Sequence, residues 1–298
     1  MNRRGLLALA AVLVLAVGCE STGATSNLLG AIGAATGVPG LQTAANLSRQ
    51  DIRGAFVDMD EPEEVELGRA IAAAVGGRYP VLRDVGLTQY VALVGNSVAE
   101  YSDRPDMRYS FAVLDSPDIN ALAAPGGFVF VTRGALNAMK DEAALAGVLG
   151  HEIGHIALRH HGETIKAEKR KALGAAVARE GVSHAGGPVG AWSGLITGAA
   201  DQIVGDLFLK GHSRGEEMES DRVGFQYAAR AGYDPAGLRE FLSALNARAA
   251  RDAGAAKFFT THPGIDERLE EQGKLRKDWT AGGRREAARF EAAMKPWR

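Results

Sequence analysis

The chain has 298 residues, a formal net charge of −2 and 6% aromatic residues, a balance that gives no long-range attraction for nucleic acid and no platform of rings for stacking bases. Cys19 is the single cysteine, so no disulfide can form within the chain. The fold must be stabilised by its apolar core alone, which about 250 residues can supply as one large domain.

Arg3 and Arg4 precede an apolar stretch from Gly5 to Val17, too short to span a membrane and suited to a signal peptide over residues 1–18. It ends Leu15-Ala-Val-Gly-Cys19, which resembles the lipobox of bacterial lipoproteins, with Ala16 where leucine is usual. Cys19 is then the lipidated first residue of the mature chain, and Glu20 after it points to the outer membrane. Residues 19–50 are rich in Gly, Ala, Ser and Thr and read as a tether, which leaves 51–298 as the folded domain. Helical patterns run from about Pro62 to Val75 and from about Val85 to Tyr101. Tyr109–Leu114 alternates as a strand should, and Gly127–Thr132 is short, aromatic and β-branched. Pro125-Gly-Gly127, between them, reads as a turn. A helix starting at Asp141 follows, then a basic, polar helix over Glu163–Arg179 whose alternating charge reads as a solvated face. A Gly-rich break at 181–190, an apolar stretch at 191–209, helices at about 214–231 and 235–250, and a helical tail complete the chain. No further apolar run is long enough to cross a bilayer. A small sheet followed by many helices predicts an α+β, mostly helical domain.

The helix after Asp141 carries His151-Glu-Ile-Gly-His155. Residues four apart on a helix share a face, so both imidazoles can reach one Zn²⁺ while Glu152 reaches a water on the metal's open side. Asp141 can cap the helix and Glu142 suits its first turn. Gly147, Gly150 and Gly154 are each about 1 kcal/mol worse than Ala in a helix interior. Their spacing makes a strip along which another backbone is expected to pass.

Catalytic zinc needs a third protein ligand. His161 stands six beyond His155, where metzincins place their third histidine, but Leu158 holds the place of the glycine with which those enzymes break the helix. On a continuing helix six residues turn through about 600°, off the metal face. His160 is also off-face and reads as structural or packed under the helix. Glu217 and Asp221, four apart on the helix that ends before Gly232 and Pro235, share a face. One carboxylate there can ligate the metal and the next can orient a ligand histidine.

His-Glu-x-x-His followed by Glu217-x-x-x-Asp221-Arg and Gly224 resembles the zinc metallopeptidase family that includes HtpX, the CAAX prenyl proteases and BepA. Asn120-Ala-Leu-Ala-Ala-Pro-Gly-Gly127, Thr132-Arg-Gly134, and Thr261-His-Pro263 with Arg268 match it too, over roughly residues 60–270. The resemblance implies a zincin-like metallopeptidase domain over 51–298, with one Zn²⁺ held by His151, His155 and Glu217. It implies Glu152 as catalytic base, Asp221 as support for a ligand, and His262 as a histidine near the metal that helps bind, gate or catalyse. No tetratricopeptide array and no membrane-spanning helices accompany these motifs, so the chain is most similar to the small lipoprotein members.

The function expected is a zinc-dependent endopeptidase, anchored to the outer membrane through Cys19 and facing the periplasm. Its substrates would be unfolded or misassembled envelope proteins, in protein quality control, with no nucleic-acid partner. Pairing of substrate backbone with an edge strand, expected at 127–132, would suit such clients. A second expectation is a holding or assembly factor whose zinc site stays latched, with 181–209 as a cover. A storage or structural zinc protein is a third, against which Glu152 stands, because a structural site is closed by four ligands and needs no base.

Overall fold

The computed structural model describes residues 59–162, 165–166, 211–279 and 282–298. The expected leader, lipidation site and tether, the basic helix apart from 165–166, and the stretches at 181–190 and 191–209 lie outside the described residues. The chain divides into two compact units, 1–60 with 162–199 and 61–161 with 200–298, and all the elements named here belong to the second. Among the described residues are nine α-helices and a three-stranded sheet, a mostly helical α+β architecture. None of the described helices is long and apolar enough to cross a membrane.

Helix α1 (Glu61–Arg78) opens with Glu61, Glu63 and Glu64 and closes on Arg78, charges placed to suit the helix dipole. Helix α2 (Val85–Ala99) is capped by Asp84, whose carboxylate accepts from the Leu87 amide at 2.8 Å. Strands β1 (Ser110–Leu114) and β3 (Phe128–Thr132) fall where the alternation put them and pair in parallel, Ser110 opposite Phe128. The segment between them holds a strand the sequence did not announce, β2 (Ala121–Ala124), antiparallel to β3 with Ala121 opposite Val131. The sheet order is therefore β1-β3-β2. This corrects the expected edge at 127–132: both sides of β3 are already paired, and β1 and β2 are the outer strands.

After the short helix α3 (Arg133–Ala138), helix α4 (Glu142–Ala157) carries the histidine motif and is buried on every side through Ile156. Asp141 caps it, accepting from the Ala144 amide at 2.9 Å. Glu142, in the first turn, accepts from Tyr90 Oη at 2.7 Å, Tyr233 Oη at 2.8 Å and Arg289 Nε at 2.7 Å. A carboxylate fully withdrawn from water is tolerable there because each oxygen is partnered. The anchoring fixes the start of α4 against α2 and against α9 (Ala287–Met294).

Helix α5 (Arg214–Arg230) begins with a reciprocal capping box: Ser213 Oγ accepts from the Glu216 amide, and Glu216 reaches back to the Ser213 amide. It stops where Gly232 adopts φ 85°, left-handed as the sequence suggested. Helix α6 (Ala236–Arg248) follows, then α7 (Ala253–Thr261) and α8 (Ile265–Asp278) within the expected helical tail. The glycine strip of α4 receives two backbones. A Cβ at Gly147 would lie 2.8 Å from the Leu238 amide nitrogen of α6, and one at Gly150 would lie 2.9 Å from the Gly224 carbonyl of α5. The α4–α5 pair can be this close only because Gly150 meets Gly224.

Candidate metal centre

Helix α4 presents His151, Glu152 and His155; the face of α5 opposite them presents Glu217, Ser220 and Asp221, and all six are buried. His151 Nδ1 lies 2.8 Å from Asp221 Oδ1, and His155 Nδ1 lies 2.9 Å from His160 Nδ1. With both Nδ1 atoms engaged, both Nε2 atoms turn toward one point, 3.1 Å apart. The Glu217 oxygens close the group at 3.5 Å from His151 Nε2 and 3.4 Å from His155 Nε2. Nitrogen and oxygen ligands bound at about 2.0–2.2 Å around a tetrahedral ion stand about 3.3–3.5 Å from one another. The three donors already sit at nearly that spacing, so the residues present fit a zinc ion. His262 joins them: one ligand atom from each of His151, His155, Glu217 and His262 lies within 4.8 Å of the others.

The electrostatics prepare these groups for a cation. Burial, reinforced by His212, holds His155 well below the ordinary imidazole value, so its ring is neutral and keeps a lone pair to give. Burial works to raise Glu217, but His262, Arg268 and His151 outweigh it and hold its carboxyl well below the usual range. Burial also raises Glu152, an effect that the nearby His262 and His151 only partly offset. Burial works to lower His262, yet Glu217 outweighs it and leaves its pKa raised. His262 caps α7, with Nδ1 3.3 Å from both Glu217 oxygens, Nε2 3.4 Å from the Ala121 carbonyl, and its ring stacked on Phe258.

Two residues play larger parts than the sequence suggested. Arg268, matched only as part of a motif, is 1% exposed and binds Asp221 through Nε and NH2, each at 2.7 Å. Its NH1 also donates to Glu217 at 2.5 Å and to the His262 carbonyl at 3.4 Å. His212 stacks on His155 with ring centroids 3.8 Å apart, and burial pushes its pKa down to about 4. No local pattern marks it beyond its place just before the Ser213 cap. His160 is structural, as expected, and its contact is specific: it is buried and bonds His155, a candidate ligand. His161 is buried but stays outside the donor group, edge-on to His212. A small cavity lined by Asn120 to Ala123, Glu152, His212, Thr261 and His262 runs along the outer edge of β2.

Two imidazoles from one helical turn, closed by a carboxylate from a second helix within an α+β domain, place this protein among the zinc-dependent metallopeptidases. The chain belongs to Peptidase family M48, whose model matches residues 87–275, and the family's cofactor is zinc. It is 28% identical over 251 residues to the beta-barrel assembly-enhancing protease of Yersinia pestis, covering 82% of this chain and 50% of that protein. The protein of the same name in Escherichia coli (strain K12) is 26% identical over 214 residues, 70% of this chain and 42% of that one. Metalloprotease LoiP of the same E. coli strain is 30% identical over 162 residues, covering 54% and 60%. The chain thus spans about half the length of the assembly-enhancing proteases it matches.

Proposed function

We propose that the protein is a zinc-dependent endopeptidase that hydrolyses peptide bonds of envelope proteins in quality control. The observation that carries this reading is the convergence of the two Nε2 atoms and the Glu217 carboxylate beside the buried Glu152. His151, His155 and Glu217 hold the ion. Zinc supplies Lewis acidity, which makes water a stronger acid and polarises a carbonyl. Glu152 takes the proton of the attacking water and delivers it to the leaving amide nitrogen; its raised pKa suits both halves of that exchange. His262, whose Nδ1 faces both Glu217 oxygens and whose Nε2 lies 3.4 Å from the Ala121 carbonyl at the cavity, donates a hydrogen bond to the oxygen on which negative charge develops. A substrate strand lies along the outer edge of β2, replacing the His262 contact with the Ala121 carbonyl. Backbone pairing of this kind selects extended, unfolded segments rather than a side-chain sequence.

Lipidation at Cys19, anchorage at the outer membrane and work in the periplasm complete the proposal. They rest on the Leu15–Cys19 pattern and on the similarity to the beta-barrel assembly-enhancing proteases. The Glu152→Gln substitution keeps the ligands and removes the base. It should retain zinc while casein hydrolysis falls by about 10²–10⁴-fold. Full activity in that variant would remove Glu152 from the mechanism. One observation favours the second reading, a latched holding factor: His262 bridges Glu217 and the Ala121 carbonyl across the cavity. Client binding without cleavage by wild type would decide for it.

A further inference from the structure

Helix α4 ends without the glycine that usually ends a helix this way. Leu158 is its C-cap, and Arg159 follows at φ 57°, the left-handed region that residues with a Cβ enter only at a cost. The Arg159 amide donates to the Ile156 carbonyl at 3.1 Å and the His160 amide to the His155 carbonyl at 3.0 Å, the paired bonds of a Schellman motif. Strain of this kind persists where the surroundings over-determine it. Here the reversal folds residue 160 back over the last turn, onto the side chain of residue 155.

The contacts made there are specific. His160 Nδ1 meets His155 Nδ1 at 2.9 Å and lies 3.2 Å from Ser220 Oγ, while its Nε2 meets Glu219 Oε2 at 3.3 Å. The His160 side chain is 6% exposed, whereas the Glu219 side chain is 61% exposed. If His155 gives its Nε2 lone pair to the ion, its proton sits on Nδ1 and His160 Nδ1 must accept it. His160 then carries its own proton on Nε2 and donates to Glu219. The two histidines of the motif are thus supported differently, His151 by a buried carboxylate and His155 by a neutral ring that leads out to solvent.

We propose that His160 is a positioning residue of the metal centre: its Nδ1 accepts the hydrogen bond that fixes the tautomer and ring plane of His155, and the left-handed turn at Arg159 delivers it. The proposal rests on His155 being a zinc ligand. Zinc affinity of the full chain, measured by competition with a chromogenic chelator, tests it in wild type, His160→Asn, His160→Gln and His160→Phe. Asn sets an acceptor oxygen near the place of Nδ1. Gln sets its polar atoms near Nε2, and Phe keeps the ring without an acceptor. The Asn variant should stay close to wild type, and the Gln and Phe variants should bind about 10- to 100-fold more weakly. A role confined to packing would instead leave Phe nearest wild type and show equally in the metal-free melting temperature. Without any substitution, zinc-loaded ¹⁵N-labelled wild type should show scalar coupling between the Nδ1 atoms of His155 and His160 across their hydrogen bond. Absence of that coupling, or wild-type affinity in His160→Phe, overturns the proposal. Wild type that binds no zinc overturns the reading of the centre itself, and this inference with it.

Discussion

A guanidinium at 1% exposure is costly unless its nitrogens are partnered, and at Arg268 the partners are Asp221 and Glu217, two of the site's three acidic residues. Asp221 engages it through both oxygens, and Glu217 shares its third nitrogen. Burial alone would raise the Asp221 carboxyl, but Arg268 and the hydrogen bond from His151 outweigh it and hold its pKa at about 2. An unfolded aspartate titrates near about 3.9. The folded state therefore binds this proton more weakly than the unfolded chain does. The stabilisation is complete above about pH 4 and is lost as pH falls through about 2. It amounts to about 2 kcal/mol. Urea unfolding of the chelator-treated protein should lose stability between pH 5 and pH 2, and Asp221→Asn should flatten that part of the profile. An unchanged profile in the variant would place the acid sensitivity elsewhere.

At the scale of elements, the centre depends on how closely two helices approach. A Cβ on Gly224 would come within 2.7 Å of the His151 amide nitrogen, so Gly224→Ala must push α5 off α4. Overpacking of this kind costs about 1–3 kcal/mol. The variant should melt lower and bind zinc more weakly, since separating the helices separates Glu217 from both imidazoles; an unchanged melting temperature would mean the pair is looser than it looks. The glycine strip, the Asp141 cap and the Gly232 stop were legible because each signal is local: a small residue, a side-chain acceptor, a residue free to turn left-handed. Strand β2 was not. Ala121-Leu-Ala-Ala124 has no β-branched residue, and its extended form comes from pairing with Phe128–Val131. Missing it also misplaced the sheet edge, because β3 reads as a good strand whether central or outermost. His212 and Arg268 were illegible as site residues for a related reason. Their roles come from packing against α4 and α5, and spacing along the chain carries no trace of that.

Across the whole molecule, the candidate ligands come from residues 151, 155 and 217, with 262 beside them, and the groups that contact these come from 160, 221 and 268. The centre therefore exists only after distant segments have packed, and the anchoring of α4 through Glu142 to Tyr90, Tyr233 and Arg289 holds the frame on which they meet. An ion bound by the folded state alone stabilises that state by mass action. The direct test is equilibrium zinc titration of the full chain beside Glu217→Ala. Wild type should take up one zinc per chain, and removing a protein ligand from the second helix should abolish tight binding while the metal-free protein stays folded. Equal uptake by the variant would show that α5 supplies no ligand and would contradict the convergence of α4 and α5 on one ion.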